Sequence, residues 1–230
     1  MPTPNIIIIS LLRSDERRKL VRKQMQKFDL SYEFLDAIDG LVLDINSEIF
    51  DITFCRKNFD HDMNKGEFAC ANSHILAYET IVKNNYQETI VLEDDFILTA
   101  DFKLLVDEIC DKGPENRELV YLYHGKAKKW PIKKSLLGSY KLAKYRYPSK
   151  DSKRLIIGAV AYMLTLSGAK KLLSLAYPIR MPADYLLGTI QLHRLSTYGV
   201  EPNCVDIADI ASDIDGVKMR LYGGHLDKKI

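Results

Sequence analysis

The chain has 230 residues, 47% apolar and 28% charged, with a formal net charge of +2. These totals exclude a disordered or fibrous chain and describe a soluble globular protein of one large domain, or one domain with a small annex, long enough to bury a core. Four cysteines without paired spacing argue against a zinc cage or disulfide framework, and no apolar run is long enough for a signal or membrane span, so reduced thiols and a cytoplasmic setting are expected.

Asn5–Leu11 is a β-branched run of strand length and predicts a buried strand. Ser14 can cap a helix over 14–28, with Asp15 and Glu16 in its first turn and Val21, Met25 and Phe28 on one face. A short strand over 31–37 closes at Asp39-Gly40; strand, helix, strand is how a parallel α/β sheet begins. Residues 41–64 read as irregular. Phe68, Ala71, Ile75, Tyr78 and Val82 recur at helical spacing and predict a helix over 66–82. A strand over 89–92, a helix over 100–110 and a strand over 119–123 follow. Lys126 to Arg154 holds eleven Lys/Arg and one acid, so this segment carries about +10 against about −8 elsewhere. Its interleaved Trp130, Tyr140, Tyr145 and Tyr147 read as exposed loops. Residues 155–166 read as one apolar strand, Ser167 as the cap of a helix to Ala176, Pro182 as the first turn of another helix, and 204–207 as a last strand.

The most informative stretch is Ile90-Val91-Leu92-Glu93-Asp94-Asp95-Phe96. An apolar strand that ends in three carboxylates places them at the carboxyl edge of a sheet, where open α/β folds keep their ligand crevices. Alternation along an extended chain lets Glu93 and Asp95 face one crevice while Asp94 faces elsewhere. Crowded carboxylates repel, and a divalent cation relieves that repulsion; a solvated acidic turn is the bland alternative. Ser73 and His74 are adjacent, so on a helix they diverge by about 100° and cannot act as nucleophile and base, which argues against a hydrolase. Arg17 and Arg18 lie early in a helix, where a cation opposes the dipole unless it serves an anion or a local carboxylate.

Several segments together resemble glycosyltransferase family 25, which includes bacterial lipooligosaccharide galactosyltransferases. They are Ile9-Ser10-Leu11 with Glu16-Arg17-Arg18; Phe34 with Ala37-Ile38-Asp39-Gly40; the run from Gly66-Glu67-Phe68 to Ser73-His74; Leu92-Glu93-Asp94-Asp95; Gly158-Ala159-Val160-Ala161-Tyr162 with Gly168-Ala169; and Pro182-Ala183-Asp184. The resemblance implies an α/β, Rossmann-like GT-A-type fold with a mostly parallel central sheet. It would form one domain over 1–230: a nucleotide-sugar and metal-binding half (1–123) and an acceptor-binding half (124–230) with the basic insert 126–154. It further implies an inverting transfer of galactose from UDP-galactose, with a β-1,4 linkage by analogy, onto a lipooligosaccharide or lipopolysaccharide acceptor.

Under that resemblance, Mn²⁺ or Mg²⁺ is expected on Asp95 and Glu93, with Asp94 in support and His225 or Asp213 as a further ligand. Ser10, Leu11, Arg13, Arg18, Ala37, Asp39, Glu67, His74, Glu93 and Asp94 are the expected donor-binding residues. Arg13 or Arg18 would meet the UDP end, and His74 would sit near the phosphates, prop the acidic loop or serve the core. Asp184 is the expected general base, with a helix cap as its structural alternative. The basic segment fits an anionic membrane surface or acceptor phosphate better than nucleic acid, since no nucleic-acid-binding motif accompanies it. A position on the cytoplasmic face of the inner membrane follows from that expectation. A metal-dependent nucleotidyl- or phosphotransferase and a non-catalytic glycan- or membrane-binding module are the rival readings.

Overall fold

The computed structural model describes residues 4–208 apart from Ser47, Lys126, Lys128, Lys150, Asp151 and Lys153. The chain opens with β1 (Asn5–Ser10), α1 (Asp15–Lys27) and β2 (Glu33–Asp36), then the short α2 (Phe54–Phe59) and the long α3 (Lys65–Lys83). Next come β3 (Glu88–Glu93), β4 (Phe96–Leu98), α4 (Phe102–Lys112) and β5 (Leu119–Tyr121). The remainder is β6 (Lys129–Ser135), β7 (Lys141–Tyr145), β8 (Ala161–Thr165), α5 (Leu166–Ala176), α6 (Ala183–Gly188), α7 (Ile190–His193), β9 (Thr197–Glu201) and β10 (Val205–Ile207).

An 8-stranded sheet runs in the order β2-β1-β3-β8-β5-β9-β7-β6. Strands β2, β1, β3, β5, β9 and β6 point one way, and β8 and β7 are reversed between them. This is the expected Rossmann-like, GT-A-type α/β fold with most strands in one direction. β1 shows why the sheet is covered on both faces: Ile7 and Ile9 enter one core, Ile6 and Ile8 the other. The first core is closed by Phe68, Ala71, Ile75, Tyr78 and Ile81 of α3 with apolar residues of α5, α6 and α7. The second is closed by Val21 and Met25 of α1 and by Phe102, Leu105, Val106 and Ile109 of α4. Each such Val, Leu, Ile, Phe or Met side chain, fully buried, is worth about 1.5–3 kcal/mol.

Five expectations are corrected. The basic segment is not a set of loops: β6 and β7 form an antiparallel hairpin at the sheet's edge, and Tyr145 is buried in the first core. Only part of 155–166 is a strand. Gly158 has φ +121°, and Ile156 N–H and Ile157 C=O bond to Gly188 and Gly125 instead of a neighbouring strand, so β8 begins at Ala161. Thr165, not Ser167, caps α5 by accepting the Gly168 N–H at 3.1 Å. Pro182 stands one position before its expected place, at the N-cap of α6. Within the irregular stretch, α2 is a short helix.

β10 pairs antiparallel with β4, and Ala208 N–H donates to Asp95 C=O at 2.7 Å. The last described strand therefore lies directly against the acidic turn.

Candidate active site

The acidic turn is where β3 ends and the chain reverses into β4, at the same edge of the sheet as the end of β1. Each carboxylate meets a different environment. Asp94 accepts from Ser10 Oγ and from Arg17, both at 2.6 Å. Glu93 Oε1 lies 3.2 Å from His74 Nε2. Asp95 has a buried Oδ1 that meets no hydrogen-bond partner among the described residues. Burial, then the neighbouring Glu93 charge, push the Asp95 carboxyl up to about 7, against the pull of Arg17.

The ends of β1 and β2 are bound into one scaffold. Arg18 donates to Ser10 C=O at 2.8 Å, Leu11 C=O at 3.2 Å and Asp36 at 2.5 Å, and its guanidinium stands 4.7 Å from the Phe34 ring centroid. Ala37 N–H donates to Ser10 C=O at 2.9 Å. Arg13 pairs with Asp39 at 2.6 Å, and this bond holds the Asp39 carboxyl below the usual range. Gly40 packs so closely on Gly66 that an added Cβ would come within 3.0 Å of the Gly66 backbone. Ser73 Oγ accepts the Ile38 N–H at 2.9 Å and donates to Ala69 C=O at 2.7 Å, so it holds this loop and makes no pair with His74.

Helix α3 carries the next layer. Glu67 and Asn64 exchange bonds of 2.9 Å in a capping box, and the second Glu67 oxygen meets His61 at 2.7 Å. His74, 1% exposed, bonds through Nδ1 to the Tyr162 hydroxyl at 2.9 Å, and Tyr162 donates to Tyr78 at 3.4 Å. A buried line Tyr78–Tyr162–His74 thus backs Glu93. Asp184 sits in the first turn of α6, which packs on α3. Its charge, with those of Glu93, Asp95 and Glu67, bears on Cys70.

The structure therefore brings Ser10, Asp94, His74 and Glu93 together with Asp95, and places Asp184 and Glu67 nearby around Cys70. Leu11, Arg18 and Ala37 shape the β1–β2 edge, while Arg13 and Asp39 form a pair on its exposed rim. His225 and Asp213 lie outside the described residues. The expected donor set left out Arg17 and Tyr162. The signal for Arg17 was present, because a cation in a first helical turn needs a nearby carboxylate, and that carboxylate is Asp94.

Buried Asp95 Oδ1, beside Glu93 and Asp94, is a negative environment that fits a hard divalent cation. Asp95 and Glu93 are the residues that would hold it; Asp94 is already bonded to Ser10 and Arg17.

The model of a family described as Glycosyltransferase family 25 (LPS biosynthesis protein) matches residues 3–187. The chain belongs to glycosyltransferase family 25. A Haemophilus influenzae protein provisionally named a glycosyltransferase is 29% identical over 81% of this chain and 63% of its own length. Procollagen galactosyltransferase 1 of Danio rerio is 24% identical over 79% of this chain and 30% of that protein. A human relative, named inactive glycosyltransferase 25 family member 3, is 26% identical over 79% and 31%. The chain thus spans under two thirds of each of these relatives. Among the described residues, no helix is long and apolar enough to cross a membrane.

Proposed function

We propose that this family 25 chain is a metal-dependent, inverting glycosyltransferase that moves galactose from UDP-galactose to a terminal sugar of a lipooligosaccharide or lipopolysaccharide acceptor, through a β-1,4 linkage. The observation that carries the reading is the buried Asp95 oxygen, unpartnered among the described residues, in a carboxylate cluster at the sheet edge. The galactosyltransferase name of one relative and the lipopolysaccharide description of the family support the donor and the acceptor class.

In this reading the acceptor oxygen bonds to the anomeric carbon as the carbon–oxygen bond to the diphosphate breaks, and UDP leaves with the electron pair. Asp184 takes the acceptor proton on its carboxylate. Arg17 and Ser10 hold Asp94 fixed, and His74 holds Glu93, so the cluster needs little reorganisation when the donor arrives. A Mn²⁺ or Mg²⁺ ion on Asp95 and Glu93 would supply Lewis-acid stabilisation of the leaving diphosphate.

The acceptor surface is assigned to the β6–β7 hairpin. Trp130 and Ile132 are exposed, Arg146 lies 4.6 Å from the Trp130 ring centroid, and the segment is strongly basic. Apolar tips among cations suit an anionic glycolipid or headgroup surface. Salt-sensitive co-sedimentation with anionic vesicles is the expected result; absent or salt-insensitive binding overturns this part.

The deciding experiment is a panel of UDP-, GDP- and CMP-sugars scored for nucleotide release and glycosylated acceptor, with and without Mn²⁺. UDP-galactose turnover that needs the metal is expected. Asp95→Ala should abolish it, and Asp184→Asn should lose transfer while keeping UDP binding. Unchanged turnover in Asp95→Ala with metal present refutes the reading. UDP binding without turnover of any donor would instead mark a non-catalytic module.

A further inference from the structure

Cys70 and His74 are four residues apart on α3, so their side chains leave the same face of one helix. Glu93 reaches them from the end of β3. One ligand atom from each of Cys70, His74 and Glu93 lies within 4.8 Å of the others. A tetrahedral zinc ion with bonds of about 2.0–2.3 Å spaces its ligands roughly 3.3–3.8 Å apart, so a small side-chain adjustment closes the set around one ion. The fourth position remains for solvent or another ligand.

The hydrogen bonds behind this group suit a metal. The Tyr162 hydroxyl bonds His74 Nδ1 at 2.9 Å and Tyr78 at 3.4 Å. His74 Nε2 and Glu93 Oε1 face each other at 3.2 Å, close to the separation of two ligands on one ion. An outer hydrogen bond on the far ring nitrogen is what metal-bound histidines carry. Cys70 is a free thiol, partly exposed to solvent. The carboxylates of Glu93, Asp184, Asp95 and Glu67 surround it, and their negative charge favours a cation at this place. Among the described residues this is the one Cys, His and carboxylate grouping with such spacing.

We propose that Cys70, His74 and Glu93 form a site for a thiophilic divalent ion of the zinc type, next to the hard-cation cradle at Asp95 and sharing Glu93 with it. Binding releases the Cys70 proton to solvent and forms a sulfur–metal bond. It also draws the Glu93 carboxylate away from the cradle, so zinc inhibits manganese-supported transfer. That inhibition rests on the functional reading above; the site itself does not.

Cobalt is the probe, because thiolate coordination gives a near-ultraviolet charge-transfer band that oxygen and nitrogen ligands lack. Titration of the full chain with Co²⁺ should give this band at one equivalent, and Zn²⁺ should abolish it by displacement. Cys70→Ser should lose the band and weaken zinc binding at least about tenfold, since disturbing even the outer partners of a metal site costs that much. Cys110→Ser, in the second core, should keep both. In the unaltered chain, Zn²⁺ should also slow iodoacetamide alkylation of Cys70, read by peptide mass spectrometry, so the test does not depend on a variant folding. No band in the unaltered chain, a band retained in Cys70→Ser, or alkylation indifferent to zinc overturns the site. Manganese-supported transfer without a cobalt band removes the site alone; a cobalt band without transfer removes the functional reading and leaves the site standing.

Discussion

Arg17 and Asp94 meet at 2.6 Å with side chains only 13% and 9% exposed. Ser10 bonds the other Asp94 oxygen, so this carboxylate is fixed from both sides. Breaking a largely buried pair by removing one partner leaves an uncompensated charge and costs about 3–5 kcal/mol. Arg17→Ala should therefore lose roughly that much stability in urea unfolding and lower UDP-galactose turnover. The double variant with Asp94→Asn should recover part of the stability, because the stranded charge is gone. Equal stability of Arg17→Ala and the unaltered chain would show that the pair is dispensable.

Tyr162→Phe removes the hydroxyl that bonds His74 Nδ1 in a fully buried position. Leaving that ring nitrogen unpaired should cost about 1–3 kcal/mol in thermal or urea unfolding. Because His74 backs Glu93, kcat should fall more than the donor KM rises. A variant with unchanged kcat and a raised KM alone would place this line of side chains in donor binding instead.

His193 offers a pH prediction away from the acidic turn. It is 4% exposed, donates through Nε2 to Leu187 C=O at 2.9 Å and accepts the Leu195 N–H at Nδ1 at 3.0 Å, a pattern only the neutral ring satisfies. Burial lowers its pKa from 6.5 to about 4. The contribution is complete above 6.5 and is lost as pH falls toward 4, because the unfolded ring takes up a proton that the folded ring refuses. The full effect is on the order of 3 kcal/mol. Unfolding free energy should fall from pH 6.5 to 5, and His193→Gln, starting from a lower value, should fall less steeply. Parallel slopes would contradict the buried neutral ring.

Gly188 closes α6 where the chain of residues 155–160 passes: it accepts the Ile156 N–H, and an added methyl would land on the Ile156 backbone carbonyl. Gly188→Ala should cost about 1–3 kcal/mol and displace the helix that carries Asp184. Loss of stability with turnover unchanged would detach Asp184 from the chemistry.

Much of this architecture was legible in the sequence because period and burial agree. The Ile6–Ile9 run, the 3.6-residue recurrence in α3 and the apolar approach to Glu93 each carry their own signal. The β6–β7 hairpin was missed because an edge strand exposed along nearly its whole length shows no alternation of burial. The break before β8 was missed because Gly158 bends a run that stays apolar on both sides of it. At the site, the acidic cluster and His74 were readable, but the division of labour among three adjacent carboxylates was not. That division depends on Arg17, Ser10 and Tyr162, whose distance along the chain from residues 93–95 only the tertiary fold closes.

Lys129 and Lys133 both end on one Glu201 oxygen, at 2.6 and 2.7 Å. A remote anion therefore meets this part of the hairpin as a single excess positive charge, although two ammonium groups are present. Recruitment to a charged surface should then show a shallower ionic-strength dependence than a tally of lysines suggests, with the neighbouring indole and isoleucine supplying adhesion that dissolved ions cannot screen.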